Sequence, residues 1–556
     1  MKIKLPLLFT LVFALVLTQA GLTQKCFGKS VSESLAKLPV QDRGRIKPFD
    51  TFARESLELI YGKSTYQGQP ASEIVLTWLI QPNLWEDKEF FEIRHSLVKK
   101  ALKLEETRKH FKLKEIVGSD RFSMLMQELN SKRDTKEKLD PYFQALERLE
   151  GQIVTFQGFA QGEFIKVVPG KNDQGWLGVN HLPENLSKAF IEITQSFVGV
   201  LASRTAQKDA LSLGEAEEKL ASAVKKFKEL AKAENPEAYA DEQRIEMEVH
   251  LNSFHPFKWA WICYLIAALL IGSLWIFKRD QMFLLACLFA ALGFGLHIYG
   301  FVLRMYLTGR PPVSNMYETV VWVGFGTVLF SMIIEAIYRW RFILLAGVSV
   351  GAFCLILADL APVVLDPSLH PLEPVLRSNF WLTVHVLTIT VSYAAFFLAF
   401  ALGDLGLYYF FKDEQKYQAR IKAVVLALYR SLQIGVGLLA PGIILGGVWA
   451  DYSWGRFWGW DPKETWALIA LLGYVAVLHG RLVGWLKDFG MVVASILTFS
   501  LVVMAWYGVN FVLGAGLHSY GFGAGGVEYV ASFVAAHLLA VVFVSVIRKE
   551  KPATNP

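Results

Sequence analysis

At 556 residues the chain is long enough for two or more domains, and 53% hydrophobic residues with a mean hydropathy of +0.35 make it too apolar for an ordinary soluble protein. The formal charge of +6 gives no case for nucleic-acid binding, because cytoplasmic loops of membrane proteins concentrate Lys and Arg on their own account. Cys26, Cys263, Cys287 and Cys354 form no disulfide framework, three of the four lie in apolar runs, and no Cys-x-x-Cys-His haem-attachment motif occurs.

Lys2 and Lys4 precede the apolar run Leu5 to Leu17, and Thr18-Gln19-Ala20 offers small residues for cleavage, so residues 1–23 read as a signal peptide or N-terminal anchor. Cys26 follows Lys25, which makes a poor lipidation site. Residues 24–256 have the composition of a soluble, mostly helical exported domain, with charge-rich helical stretches near Glu86 to Lys114, Lys136 to Glu150 and Leu213 to Val249. Ile153 to Phe156 and Phe164 to Val168 are read as a small hairpin, and the polar stretch Asp42 to Asp50 as a solvated loop.

From His255 onward the chain is a succession of apolar runs, each near the ~20 residues that cross a hydrocarbon core. Nine spans are expected: Phe257 to Phe277, Met282 to Tyr306, Tyr317 to Tyr338, Phe342 to Leu360, Trp381 to Phe411, Val425 to Trp449, Thr465 to Trp485, Gly490 to Phe511 and Val527 to Ile547. The fold class expected is therefore an all-α polytopic membrane protein over 257–548 with a cytoplasmic tail at 549–556. Basic residues fall on alternating connections: Lys278 and Arg279, Arg339 and Arg341, Lys412 to Lys422, Arg481 to Lys487, and Arg548 to Lys551. The positive-inside rule assigns these to the cytoplasm and the other loops to the extracytoplasmic, periplasmic side of the inner membrane.

On that outward side lies Trp454-Gly455-Arg456-Phe457-Trp458-Gly459-Trp460-Asp461-Pro462-Lys463-Glu464-Thr465-Trp466. A lone Trp would be assigned to the interfacial belt. Several on one glycine-broken loop instead supply flat apolar faces for a planar macrocycle, which points to haem. Asp461, Pro462 and Glu464 also spell a helix start, with Asp461 as its cap. His385 follows Trp381 by one helical turn on the same face, and His518 lies in the glycine-rich run Gly514 to Gly521. Imidazoles are ordinary ligands of haem iron, although a histidine at a helix end or in a loop is more often simply hydrogen-bonded. His479 comes fifteen residues after Glu464, ~22 Å deeper in the membrane at the helical rise.

The run Trp-Gly-x-x-Trp-x-Trp-Asp-Pro-Lys-Glu-x-Trp-x-Leu-Ile, with His479 downstream, resembles the tryptophan-rich motif of the CcsA (ResC) cytochrome c synthesis proteins, within the haem-handling superfamily. The resemblance covers about Phe257 to the end and leaves Gly21 to His255 unexplained. It implies a holocytochrome c synthase, in which haem b is both bound ligand and substrate. Haem passes outward and is held by His385 and His518 against Trp454, Trp458, Trp460, Asp461 and Trp466. Thioethers then form with the thiols of a Cys-x-x-Cys-His apocytochrome. It also implies that His479 binds a second haem within the membrane, whose other ligand comes from a CcsB (ResB) protein, and that thiol reductants keep the apocytochrome reactive. His297 is a candidate for that other ligand, against a core histidine, although its depth matches poorly; His537 is read as structural. Arg304 and Arg310 are candidates to neutralise the haem propionates. The alternatives are a haem exporter or haem-carrying subunit without ligation activity, the CcmF or CcmC branch of the superfamily, and a respiratory dihaem subunit, which lacks support because no transmembrane histidines pair at matched depth.

Overall fold

The computed structural model describes residues 31–118, 120–134, 139–170, 175–204, 211–277, 280–361, 364–372, 378–513 and 526–550. They fall into two compact units, one within Met1–Ser253 and one within Phe254–Pro556. The leader, Cys26, His518 and residues 551–556 lie outside the described residues.

The first unit is mainly helical, with four two-stranded antiparallel sheets among its described residues. Its core gathers Trp78, Trp85, Phe90, Phe91, Phe156 and Phe159 at edge-on ring contacts. Three expectations need correction. Ile153 to Phe156 is not a strand: it belongs to the helix Pro141–Ala160, in which Phe143, Leu146, Leu149, Ile153, Phe156 and Phe159 recur every three or four residues and are buried together. Its start is capped by Asp140, which accepts from Tyr142 N and Phe143 N. Glu86 to Lys114 is not one helical stretch. It is broken into short pieces by the strand pair Phe91–Glu92 and His110–Phe111. Finally, Asp42 to Asp50 is no solvated loop. Pro39–Asp42 pairs with Arg45–Pro48, and Arg45 makes two hydrogen bonds of 2.6 and 2.8 Å to the buried Glu248, which also accepts from Thr51. Lys47 is buried between Asp42 and Glu55.

Among the described residues nine helices are long and apolar enough to cross a membrane, and the protein is a multi-pass α-helical membrane protein. In the second unit these are α1 (Pro256–Phe277), α2 (Asp280–Thr308), α3 (Met316–Tyr338), α4 (Phe342–Leu360), α5 (Asn379–Lys412), α6 (Gln418–Trp454), α7 (Pro462–Leu482), α8 (Asp488–Leu513) and α9 (Val527–Glu550). Each is apolar all round rather than striped, as expected where one face meets other helices and the other meets lipid. One core joins α1 to α4 around Tyr264, Val328 and Cys354. A second joins α5 to α8, where Phe396 and Tyr474 stack in parallel with ring centroids 3.7 Å apart. α5 is the hub: it packs on α3, α4, α6 and α8. Two helices depart from regular geometry. α5 contains a π-helical turn at Leu382–Val386, and α8 ends in a π-helical stretch at Met504–Leu513. Such wide turns are uncommon in helices and concentrate where a side chain must be re-aimed.

Candidate functional site

A cavity of about 180 Å³ lies among the ends of α3, α5, α6, α7 and α8. His385 enters it from the π-helical turn of α5. The His385 ring lies flat against α6: a methyl group on Gly446 would fall 2.5 Å from Cε1 and about 3.0 Å from both ring nitrogens. Nδ1 is 2.9 Å from the carbonyl oxygen of Gly442. A carbonyl only accepts, so Nδ1 carries the proton, and in the neutral imidazole Nε2 is left as the nitrogen with the lone pair. This is the tautomer and the kind of backbone support that hold an imidazole ready for a metal.

Trp449 of α6 completes the surroundings of His385. Its ring meets the imidazole nearly edge-on at 5.7 Å and stacks on Trp381 at 6.4 Å with planes 8° apart. After Trp449 the helix stops at Gly455, which takes a left-handed conformation and donates its N–H to Asp451 O. The chain then folds back so that Trp454, Phe457 and Trp458 line the cavity. Phe457 rests on Gly447, where a methyl would meet its ring at 2.6 Å. The return is locked by the start of α7. Asp461 accepts from Lys463 N, and Glu464 accepts from Asp461 N, from Gly459 N and from the Arg456 guanidinium. Asp461 is thus the expected helix cap, buried beneath the loop.

Opposite, Ser314 to Met316 and Thr319 form a wall from the start of α3. Asn315 caps this helix by accepting from Glu318 N. Glu318 takes two hydrogen bonds from Arg304, and Arg304 also donates to Pro367 O, so the wall is tied to the connection between α4 and α5. Within that connection burial would raise the Asp366 carboxyl, but hydrogen bonds from His370 and Ser368 outweigh it and hold it at about 2.

The expected site residues separate into groups. His385, Trp454 and Trp458 line the cavity, and Asp461 supports it. Trp460 meets Trp458 edge-on but is 70% exposed, and neither it nor Trp466 lines the cavity. Trp460 also takes a left-handed backbone conformation, φ 57°, which is rare for a residue with a side chain. His518 lies outside the described residues. His479 is elsewhere, exposed near the far end of α7, with Nδ1 2.8 Å from Val475 O, so that Nε2 again carries the lone pair. His297 is fully buried among α1, α2 and α3; Tyr264 Oη lies 3.2 Å from Nδ1 and Val321 O lies 3.1 Å from Nε2. Both its ring nitrogens are engaged, and among the described residues no contact joins it to His479. That is the environment of a core histidine, the reading weighed above against its candidacy as the second transmembrane ligand. Arg304 and Arg310 are also turned elsewhere, towards Glu318 and His370 O, and neither lines the cavity. His537 bonds to Phe533 O and lies 3.4 Å from Asp404, beside a different cavity.

Sequence reasoning missed Trp449, Trp506 and the lining role of Lys463. Trp449 follows Gly446 and Gly447 at the end of an apolar span; that small-residue pair in front of a Trp was the available signal. The cavity volume is below the ~300 Å³ at which enclosed ligand pockets commonly begin. Its lining suits one face or edge of a large planar ligand: aromatic rings and one lone-pair imidazole, with Ser314, Asn315, Thr319, Thr390, Ser453, Lys463 and Glu464 as polar groups around them.

The family model "Cytochrome C assembly protein" matches residues 313–518, which hold the α3 wall, His385 and the Trp loop. NrfI of Wolinella succinogenes is 30% identical over 516 residues, 88% of this chain and 55% of that protein, so the chain spans about half the length of NrfI. The cytochrome c biogenesis protein CcsA of Synechococcus sp. strain CC9605 is 34% identical over 251 residues, 40% of this chain and 81% of that protein. The corresponding CcsA of Parasynechococcus marenigrum is also 34% identical over 251 residues. A multi-pass helical membrane protein that matches CcsA proteins over four-fifths of their length, with the Trp loop inside the matched segment, belongs to the CcsA family of cytochrome c biogenesis proteins.

Proposed function

We propose that the protein is the haem-presenting component of a holocytochrome c synthase, with haem b as substrate and the cavity beside the Trp loop as the place where it is held. The observation that carries this reading is His385: a backbone hydrogen bond sets its tautomer, and it stands in an aromatic slot built by the Trp loop. Nε2 of His385 ligates the iron, and His518 supplies the opposite ligand. Trp454, Trp458 and Phe457 cover the macrocycle and keep water from it, which protects the iron's redox state. The apocytochrome docks from the extracytoplasmic side of the inner membrane. Its two thiols add across the haem vinyl groups, and its own histidine replaces one of the protein's ligands on the iron. No nucleophile is required of this chain, because haem and the apocytochrome bring the reacting groups; its contribution is orientation.

His479 serves an earlier stage. It is exposed at the opposite end of α7, so a haem bound there lies on the outside of the helical bundle. Its second ligand then comes from another chain, a role for a CcsB-type membrane partner, and the exported domain 24–256 is the surface for that partner or for apocytochrome. Thiol reductants complete the system by keeping the Cys-x-x-Cys-His thiols reduced.

The test is co-expression with the CcsB-type partner and a Cys-x-x-Cys-His reporter. Wild type is expected to yield covalent haem on the reporter, whereas His385→Ala and His518→Ala each abolish it and change the haem absorption spectrum. His479→Ala is expected to reduce haem at both positions by interrupting supply. Haem that binds His385 without any thioether product, in the presence of partner and reductant, would leave a haem carrier in place of a synthase.

A further inference from the structure

The π-helical turn Leu382–Val386 that carries His385 is closed by the N–H of Leu387, which donates to Leu382 O, five residues back in place of four. A wide turn disturbs the hydrogen bonding of the carbonyls in it, and within an apolar span those carbonyls need other donors. Hydroxyl groups supply them. Thr388 Oγ1 donates to Val384 O at 2.5 Å and Thr390 Oγ1 to Val386 O at 2.6 Å, both acceptors lying inside the wide turn. Thr383 Oγ1 donates to Asn379 O at 2.7 Å just before it. From Tyr393 to Lys412 α5 contains no Ser or Thr, so these donors are concentrated at the irregular end. Thr383, Val384, Val386, Thr388 and Thr390 are also β-branched, which weakens the regular α-helical alternative. Both flanks of the turn are pinned. On the outer side Asn379 Nδ2 donates to Gly309 O and Trp381 stacks on Trp449. On the inner side Ile389 and Phe396 rest on Gly442 and Gly435 of α6, with no room for a methyl group at either. The turn holds one residue more than an α-helical turn, so closing it to α geometry would rotate one flank against the other by about 100°. The His385 ring would then leave Gly446 and its hydrogen bond to Gly442 O.

We propose that the Thr388 hydroxyl, bonded to the carbonyl of Val384 beside His385, holds the wide turn in the form that aims Nε2 of His385 into the cavity, and so sets the strength and direction of its bond to haem iron. This rests on the reading of the cavity as a haem site. Thr388 is a positioning residue: it does not line the cavity and acts on the ligand through one backbone carbonyl. Thr390 supports the same turn from Val386 O, but it also lines the cavity, so Thr388 is the cleaner probe. The bond from Nδ1 to Gly442 O fixes which nitrogen of His385 is free; the hydroxyl support of α5 fixes where that nitrogen points.

The test titrates ferric haem into the purified full-length protein, follows the Soret band, and records the electron paramagnetic resonance of the low-spin ferric haem, whose g values report the axial imidazole. Thr388→Val keeps the shape of the side chain and removes the donor. It is expected to weaken haem binding about tenfold and to shift the g values, and Thr388→Ala to do the same. Thr388→Ser keeps the hydroxyl and is expected to retain wild-type affinity and spectrum. Ser392→Ala is the control, because its hydroxyl makes the same kind of bond, to Ile389 O, outside the wide turn; no change is expected. Added to His385→Ala, Thr388→Val is expected to cause no further loss of haem, since its effect passes through that ring. Wild-type affinity and g values in Thr388→Val, an equal loss in Ser392→Ala, or a loss that adds in full to that of His385→Ala would each overturn the assignment. Loss of haem in His385→Ala with an indifferent Thr388→Val removes only the positioning role, whereas indifference to His385→Ala removes the site on which it depends.

Discussion

Gly446→Ala is the sharpest probe of how the cavity is built. The added Cβ would lie 2.5 Å from Cε1, 3.0 Å from Nδ1 and 3.1 Å from Nε2 of His385, where ordinary contact begins at 3.4 Å. The ring must therefore withdraw by roughly 1 Å, and the 2.9 Å hydrogen bond from Nδ1 to Gly442 O stretches beyond useful length. Supporting hydrogen bonds of metal-ligating histidines are typically worth about ten- to a hundredfold in affinity, so a loss of that order in haem binding is expected. Gly437→Ala is the matched control: it lies on the same helix, is exposed, and its methyl meets nothing within 4 Å. Both changes gain about 1 kcal/mol of helix propensity, so the comparison isolates the displaced ring. Haem titration with the Soret band as readout, on both variants side by side, decides the matter. Equal affinity and equal spectra in the two would refute the claim that Gly446 seats His385.

Three further outcomes follow from other parts of the molecule. Asp461→Ala removes the side-chain cap of α7 while Glu464 keeps its bond to the backbone N–H at 461, and is expected to cost about 1 kcal/mol, read as a lower thermal-unfolding midpoint and faster proteolysis in the Trp loop. Arg45→Met leaves Glu248 buried with Thr51 as its remaining hydrogen-bond donor among the contacts described above, and is expected to destabilise the first unit by about 3 kcal/mol in thermal unfolding. Asp366 has a folded-state pKa of about 2, below its ordinary value of 3.8, so its stabilising contribution is complete above about pH 4 and is lost as pH falls towards 2. Protection of residues 364–372 from amide exchange should therefore be independent of this carboxyl between pH 5 and 8 and weaken in strong acid. A loss near pH 6 would assign the transition to a different group.

Sequence alone was sufficient for the nine spans, because crossing a hydrocarbon layer demands length and apolarity that are written locally in the chain. It was sufficient for the start of α7 as well, since a capping box is a four-residue contact within one turn. The same locality misled in the first unit. Ile153 to Phe156 suggested a strand when taken alone, and only the full helix Pro141–Ala160 shows the three-to-four spacing that buries these residues. What tertiary structure alone decided is which side chains meet. His385 and Gly446 are 61 positions apart, and Lys463 and Asn510 are 47 apart; no local pattern encodes either contact. His297 and His385 look alike as histidines in apolar spans. Packing separates them: two neighbours occupy both nitrogens of one, while a π-helical turn and a bare glycine bring the other into a cavity with its tautomer set.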